Sequence, residues 1–198
     1  MKKRTRPTVN RFSMRAIALV VVFAMAFSAA ASMPMDVLAS TWTKTSGECG
    51  ENLTWTLDES SGTLTISGSG KIKDNAAEYE SWNDNDIHTV IFNGRITSIG
   101  RSAFEKCHQI SSIQIPNTVT NIGEFAFAFC NRMTSITIPN SVTTIEHDAF
   151  LGCSSLTSIT IPSSVTAISN QLFCNCIDLT SISIPNSVSS IGNLVNSL

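Results

Sequence analysis

At 198 residues the chain has room for one modest domain and a leader segment, which excludes an arrangement of two large cores. Charged residues make up 14% of the chain and hydrophobic residues 42%, a balance that excludes a disordered protein. The formal net charge of −2 hides an asymmetry, since residues 40–198 hold 7 Lys and Arg against 14 Asp and Glu. Such an acidic body repels polyphosphate, which argues against nucleic-acid binding.

The first predicted element is an export signal, placed at residues 1–39. The first fifteen residues contain six cations and no acid, and the apolar run Ala16–Ala31 follows them. This run is short for a membrane span and suits a signal peptide. Cleavage before Ser32 or before Ser40 fits the pattern; we favour the second, because Pro34 can break the apolar helix ahead of it. The alternative is an uncleaved N-terminal anchor. Under both interpretations the rest of the chain is exported.

Residues 40–86 are predicted to form an N-terminal cap built on a β-hairpin. Apolar and polar residues alternate over 53–57 and again over 64–66, and turn-forming residues separate the two segments. Tyr79 and Trp82 are expected to complete the cap. The alternative is that Trp55 and Trp82 are exposed and bind carbohydrate.

From Ile87 to the end, residues 87–198, the chain repeats itself with a period of 23 and no gaps, as four full units and one partial unit. The positions that recur are Pro116, Pro139, Pro162 and Pro185; Cys107, Cys130, Cys153 and Cys176; and Phe104, Phe127, Phe150 and Phe173. Such a period predicts a β-rich solenoid of stacked coils, because one coil has too little apolar surface to fold alone.

Each unit predicts two short extended segments and one compact turn. In the unit that starts at Leu156, Ile159 and Ile161 point inward on a strand, and Pro162 ends that strand because it lacks an N–H. Val165 and Ile168 return inward on a second extended segment. The Ala-Phe-x-x-Cys element that completes a unit is predicted to be one helical turn with Ala, Phe and Cys in the core.

These repeats resemble the BspA-like leucine-rich-repeat family of surface proteins. The resemblance rests on Leu-Thr-Ser-Ile-Thr-Ile-Pro-Ser-Ser-Val from Leu156 and on the Ala149-Phe150…Cys153 element, and it covers Ile87 to about Gly192. Ordinary leucine-rich repeats carry an Asn or Cys after the strand, where this chain has Pro and Val. The resemblance implies a leucine-rich-repeat stack with a curved parallel sheet, residence outside the cell, and adhesion to proteins or host matrix.

The last unit begins at Leu179 and departs from the pattern, since Asn196 stands where Phe is expected. Two interpretations fit. Either the apolar residues of the segment 194–198 form a lid over the last coil, or the chain is a truncated copy of a longer protein. We expect truncation.

The sequence offers no constellation for catalysis. The three His residues share no column of the repeat, and neither a glycine-rich phosphate loop nor a nucleophile elbow is present. Cys174-Asn175-Cys176 alone is a weak pair of metal ligands. We therefore expect no enzyme, no metal and no cofactor.

Six cysteines lie in the predicted mature part. Those of the repeat column are expected to be free thiols packed inside the coils, because side chains stacked in parallel suit a disulfide poorly. Cys174 lies outside that column, in the positions of Glu105, Ala128 and Leu151. It is predicted to be exposed and to be the thiol that reacts first.

The outward strand positions form a polar face whose candidate ligand-binding residues are Gln114, Thr137, Thr160 and Ser183. Ser and Thr suit any exposed sheet, so these columns can be explained without a ligand, and we favour that explanation. The functional interpretation is a flat face that hydrogen-bonds an extended ligand. Ile91, in the Gln114 column, and Phe129, in a variable slot, are the predicted apolar contacts.

The function predicted from the sequence is an exported or cell-surface module that binds an extracellular protein or glycan in an adhesion-type role. Contact with a membrane is expected only through the signal segment. The alternative is a structural component of the cell envelope that self-associates through the C-terminal coil.

Overall fold

The computed structural model describes residues 45–80, 82 and 86–193. All of them belong to one compact unit, 43–198. The predicted export signal and the lid proposed for 194–198 lie outside the described residues. Among those residues, no helix is long and apolar enough to cross a membrane.

The cap is an antiparallel meander followed by a short helix. Its elements are β1 (Ser46–Gly50), β2 (Leu53–Asp58), β3 (Thr63–Lys71) and α1 (Ala76–Tyr79). The predicted hairpin is confirmed, with Leu57 paired to Leu64 across its turn. The hydroxyls of Ser60 and Ser61 bond the Asp58 carboxylate in that turn, and they lower the pKa of Asp58.

Strand β4 (Thr89–Ile99) joins the cap to the repeats, and it is longer than any later strand. It runs parallel to β3, with Thr63 opposite Thr89. The repeat explains its length, because Asn93 stands where the following units have the Pro that ends their first strand. The paired Gly68 and Gly94 allow the two backbones to approach closely: a Cβ on Gly94 would lie 2.0 Å from the Gly68 carbonyl oxygen.

Every later coil has two short strands. The first stack consists of β5 (Ser112–Gln114), β7 (Ser135–Thr137), β9 (Ser158–Thr160) and β11 (Ser181–Ser183). The second consists of β6 (Asn121–Ile122), β8 (Thr144–Ile145), β10 (Ala167–Ile168) and β12 (Ser190–Ile191). The predicted strand, the Pro break and the second extended segment are thus all observed.

The coils stack in register, as the period of the sequence requires. Parallel pairing places Ile113 opposite Ile136 and Ile159 opposite Ile182, and in the second stack Ile122 opposite Ile145. Equivalent isoleucines therefore share one interior, which confirms the solenoid and its leucine-rich-repeat stacking.

The Ala-Phe-x-x-Cys element is not the helical turn that the sequence suggested. In the first coils it is a run of three overlapping tight turns, and each coil has two residues in the left-handed region, such as Ser102 (φ 50°) and Lys106 (φ 62°). Alternate N–H groups bond within the turn and to the next coil: Ala103 N–H donates to Gly100, whereas Phe104 N–H donates to Ala126. A helical turn would direct its N–H groups along its own axis, and the inter-coil bonds would be lost. We call this third side of the solenoid the turn stack.

An aromatic column runs through the core. Trp82 stacks on Phe104 at 5.4 Å between ring centroids, and the rings of Phe104, Phe127, Phe150 and Phe173 continue the column at 5.5 to 5.8 Å. Trp55 meets Trp82 edge to face. Both tryptophans are at most 1% exposed, so the alternative that they bind carbohydrate is wrong. Tyr79, predicted to be part of the cap, lies in its helix α1 and is 66% exposed.

The cap also contains a buried acid. Glu80 is 3% exposed and accepts a hydrogen bond from the Trp55 indole at 3.0 Å. It also pairs with the ammonium of Lys73, which bonds the Glu48 carbonyl at 2.9 Å. These contacts join α1 to the meander, and they satisfy a charge that would be costly to bury alone.

Candidate functional site

The strand face carries the predicted ligand-binding residues. The structure places Gln114, Thr137, Thr160 and Ser183 at the last position of successive first-stack strands, and all four are exposed. The serines two residues earlier form a second exposed column: Ser112, Ser135, Ser158 and Ser181. We call these two columns the strand face.

Neighbouring hydroxyls have a structural role instead. Thr157 Oγ1 donates to the Thr134 carbonyl and Thr180 Oγ1 to the Thr157 carbonyl, at 3.4 and 3.2 Å. In the second stack, Thr143 Oγ1 donates to the Thr120 carbonyl at 3.3 Å. Each bond joins a residue to its equivalent 23 positions earlier, so these hydroxyls form ladders between coils.

The strand face contributes no side chain to these ladders. Within the described part of the chain, the hydroxyls of Thr137, Thr160 and Ser183 make no hydrogen bond and remain available to solvent or to a ligand. The strand face also carries no charged residue. It is therefore a neutral surface, and the strands that carry it pair two by two, β5 with β7 and β9 with β11.

The two predicted apolar contacts lie on different sides of the coil. Ile91 lies on β4, in the same column as Gln114, and is 48% exposed. Phe129 belongs to the turn stack, where its φ is 61°. Its ring is half-buried against Gly152, and a Cβ on that glycine would lie 2.6 Å from the ring. The structure thus brings Ile91 to the strand face and keeps Phe129 away from it.

A cluster that the sequence analysis missed lies on the turn stack. The Arg101 guanidinium lies over the Phe125 ring, 5.9 Å from its centroid, and His147 meets that ring edge to face at 6.0 Å. Both Arg101 and His147 are about half exposed. The three residues come from three successive coils and occupy variable positions of the repeat. Phe125 could have indicated this cluster in the sequence, because it is an aromatic residue at a repeat position outside the core.

Carboxylates surround this cluster. Glu124 Oε1 lies 3.3 Å from the Arg101 guanidinium and 3.6 Å from His147 Nε2. Asp148 Oδ2 lies 3.0 Å from His147 Nδ1. Because Arg101 and His147 already have carboxylate partners, the cluster provides no open site for an anion. It is suited to contact through the exposed edges of its rings.

The cysteine column forms a further ladder. The thiols of Cys130, Cys153 and Cys176 each donate to a Phe carbonyl of the preceding coil, at 3.3, 3.1 and 3.1 Å respectively. Burial raises the pKa of Cys107 well above its usual value and that of Cys130 to about 12. The predicted packing of free thiols inside the coils is observed for the first three cysteines, whereas Cys176 is only half-buried.

The predicted exposure of Cys174 is wrong. Its side chain is 1% exposed, like that of Ala128 in the same column, which is fully buried. The longer Glu105 and Leu151 of that column reach the surface in part, whereas a small side chain stays beneath the turn stack. A buried thiol does not meet reagents in solution, so Cys174 is not the thiol expected to react first.

The described residues contain no group of His, Cys, Asp and Glu arranged to hold a metal ion. A polar cleft of about 300 Å³ lies where α1 meets the first coil, lined by Asn75, Ala77, Glu78, Ser102, Glu105 and Lys106. Lys106 and Glu105 pair with each other there at 3.4 Å. Among the described residues no hydrogen bond joins the Ser102 hydroxyl to a carboxylate or to Lys106, and we assign the cleft no chemistry.

Comparison with known proteins points to one family. The sequence model described as the BspA type leucine-rich repeat region matches residues 75–197, with six copies. No curated protein matches the chain.

Two solved structures are similar over most of the described chain. A leucine-rich repeat protein from Eubacterium ventriosum is 30% identical with a TM-score of 0.62, covering 74% of this chain and 39% of that one. A leucine-rich cell surface protein from Faecalibacterium prausnitzii is 27% identical with a TM-score of 0.56, covering 72% of this chain and 43% of that one. The chain thus spans about two fifths of the length of each relative.

Proposed function

This chain belongs to the BspA-type leucine-rich repeat family, and we propose that it is an exported or cell-surface module that binds an extracellular protein or matrix component. The family is one of surface proteins, and leucine-rich repeat solenoids are typically binding scaffolds without catalysis. The similar protein from Faecalibacterium prausnitzii is described as a cell surface protein. The basic and apolar start of the sequence supports export, with 1–39 as the signal, 40–86 as the cap and 87–198 as the repeats.

The observation that carries the proposal is the difference between the hydroxyl columns. Thr134, Thr157 and Thr180 lie next to the strand face, and two of them donate their hydroxyls to the preceding coil. The strand face has the same composition but no such bonds among the described residues. A neutral surface of short side chains with unused hydrogen-bonding groups suits an extended uncharged ligand, because little side-chain ordering is needed on binding. Ile91 would add an apolar contact at the edge of this surface.

Binding of the exported chain to immobilised matrix proteins and neutral glycans tests the proposal. The double variant Thr137→Lys, Thr160→Lys places two charges on the strand face, and we expect about tenfold or greater loss of affinity for whichever probe binds. The matched control is Thr144→Lys with Ala167→Lys, two exposed positions of the second stack. Retention of full affinity by the strand-face variant, or equal loss in the control, would exclude this face as the binding surface.

A second candidate function is self-association as a structural component. Its support is the exposure of interior-type residues in the last described coil. Ile184 is 38% exposed and Ile191 is 55% exposed, whereas their equivalents Ile161 and Ile168 are 2% and 3% exposed. Apolar surface of this kind favours association.

Light scattering of the whole chain separates the two functions. Self-association predicts a mass that rises with protein concentration, and the substitution Ile191→Lys should suppress the rise. A constant monomer mass over the whole concentration range would argue against this second candidate. It would leave the binding function in place.

A further inference from the structure

The cleft where α1 meets the first coil coincides with an interruption in the hydrogen bonds of the turn stack. In each later coil, the carbonyl at the position of Glu105 accepts an N–H from the preceding coil. Lys106 donates to Ala128 in this way at 2.8 Å, and Phe129 donates to Leu151 at 2.7 Å. Among the described residues, by contrast, no N–H donates to the Glu105 carbonyl itself. The first coil therefore has an acceptor that its successors use and it does not.

Helix α1 is the cause of this interruption. Asn75 still continues the turn stack, because its φ of 55° is close to the 50° of Ser102 and its N–H donates to the Arg101 carbonyl. The chain then becomes helical, and the Tyr79 N–H bonds back to the Asn75 carbonyl at 3.0 Å. The N–H groups that follow Asn75 thus bond within α1 and not to the first coil. The cleft of about 300 Å³ lies where the two elements diverge.

Side chains that line the cleft add polar groups without a partner. Ser102 is 6% exposed, and its hydroxyl makes no hydrogen bond within the described part of the chain. Such a buried hydroxyl costs free energy until a ligand bonds to it. The Asn75 side chain does not cap α1, and the exposed Glu78 carboxylate forms no ion pair with a described residue. The cation of the lining, Lys106, already pairs with the Glu105 carboxylate at 3.4 Å.

We propose that this cleft binds an organic cation, the ammonium or guanidinium group of a basic side chain on the extracellular protein partner. A carbonyl, a hydroxyl and a free carboxylate are available there as acceptors. An ammonium group has three N–H donors and a guanidinium group has five, and neither has an acceptor. Bonds from such charged donors to a carboxylate are stronger than bonds between neutral groups. The inference names the chemistry of one contact and rests on the proposed function for the partner itself.

Other ligands match the cleft less well. The carboxylates of Glu78 and Glu105 would repel an anion. A neutral sugar would leave the Glu78 charge unpaired. It would also find little apolar surface, since Ala77 is the only apolar residue among the described ones of the lining. The cleft therefore favours a ligand that has several N–H donors and a positive charge.

Titration of the isotope-labelled whole chain with small probes, followed by NMR, tests the proposal. The probes are Nα-acetyl-lysine methylamide, its arginine counterpart and its norleucine counterpart, which has a similar stem but no charge. We expect a cationic probe to shift the amide resonances of Glu78, Ser102 and Lys106, and the norleucine probe to leave them unchanged. A response to one cation alone supports the site and identifies the basic side chain. An equal response to norleucine or to glucose, or none to either cation, would overturn the assignment.

Two substitutions remove groups from the cleft. Glu78→Gln removes the free charge, and Ser102→Gly removes the buried hydroxyl while suiting the left-handed backbone. We expect each to weaken binding of the cationic probe by about tenfold. The matched control is Asp178→Asn, which removes an exposed carboxylate from the last described coil and should leave the affinity unchanged. Full affinity in either cleft variant, or an equal loss in the control, would contradict the proposal. Circular dichroism verifies that each variant is folded.

Failure of this site is distinguishable from failure of the proposed function. The strand-face variant Thr137→Lys, Thr160→Lys should bind the cationic probe as well as the unsubstituted chain does, because the probe reports on the cleft alone. If a matrix protein binds the chain while no probe shifts the cleft resonances, only this inference fails. If the probe binds and no matrix protein or glycan does, the cleft assignment stands and the proposed function fails.

Discussion

At the N-terminal end of the stack Trp82 is fully buried between Trp55 and Phe104, whereas in the last described coil Ile191 is 55% exposed. Trp82 belongs to the cap and stacks on the aromatic column of the coils, whereas Ile191 is the equivalent of the buried Ile168. The difference lies in what packs on them: the meander β1–β3 and α1 cover the first coil, and no described coil covers the last. Residues at the same repeat position are thus buried to different extents, according to what packs on their coil. We expect each to stabilise the fold in proportion to the number of neighbours that pack on it.

The largest change in stability is expected from substitutions in the aromatic column. Phe127 lies between two stacked rings, whereas Phe173 stacks on Phe150 alone among the described rings. We expect Phe127→Ala to lower the free energy of unfolding by about 3 to 5 kcal/mol and Phe173→Ala by about 1 to 3 kcal/mol. Urea denaturation followed by circular dichroism measures both. Equal losses would mean that the number of stacked neighbours does not set the contribution.

The cap itself is tested through its buried acid. Glu80→Ala removes the acceptor of the Trp55 indole and the partner of Lys73, so we expect a loss of about 2 to 4 kcal/mol in the same measurement. Glu80→Gln keeps an acceptor for the indole, and its loss should be smaller. If Glu80→Ala unfolded at the wild-type urea concentration, the cap would not depend on this junction.

One left-handed position of the turn stack is glycine in one coil and another residue in the other coils. Gly152 has a φ of 68°, and a Cβ there would meet the Phe129 ring at 2.6 Å, so Gly152→Ala should cost about 1 to 2 kcal/mol. Lys106 occupies the equivalent position with a φ of 62°. Lys106→Gly relieves the left-handed backbone and should stabilise the protein by about 0.5 to 1 kcal/mol. Thermal unfolding of the two variants measures whether each one is destabilised or stabilised. Destabilisation by Lys106→Gly would contradict this explanation of the turn.

The smallest expected effect is a pH dependence where the cap meets the first coil. The Lys71 side chain, as a hydrogen-bond partner, lowers the pKa of Asp74, and the Arg101 N–H adds to the effect. The folded pKa lies below the unfolded value of 3.8, so the contribution is present above that pH and is lost as the pH falls through the folded pKa. Asp74 is largely exposed, so we expect about 0.5 kcal/mol or less. Asp74→Asn should reduce stability at pH 6 but not at pH 2, and an equal effect at both would refute the linkage.

Much of the architecture could be predicted because the repeat places equivalent residues in equivalent surroundings. The pairing of Ile113 with Ile136 and the break at Pro116 follow from the period of 23 alone. Strand β4 is long because position 93 is Asn, whereas the later units have the strand-ending Pro at the equivalent position. The hairpin of the cap follows from its alternation.

The turn stack could not be predicted in the same way. Its left-handed positions hold Ser102, Phe125, Asp148 and Gln171 in one column, and none of these is the glycine that normally indicates a positive φ. Inter-coil hydrogen bonds compensate for the strain, and such bonds exist only in the assembled stack. The prediction of a helical turn failed for this reason.

The sequence by itself determined which residues share the interior and in what register, because a fixed period repeats the same hydrophobic pattern in each coil. Only the tertiary structure decided which polar groups and thiols reach solvent. Thr157 and Thr160 are similar in sequence, yet one donates its hydroxyl to the preceding coil and the other faces outward. Cys174 was expected to be exposed and is buried, whereas Cys176 was expected to be buried and is only half-buried. Exposure depends on the turn conformation and on the coil packed next to each side chain, and neither is encoded in the residue type.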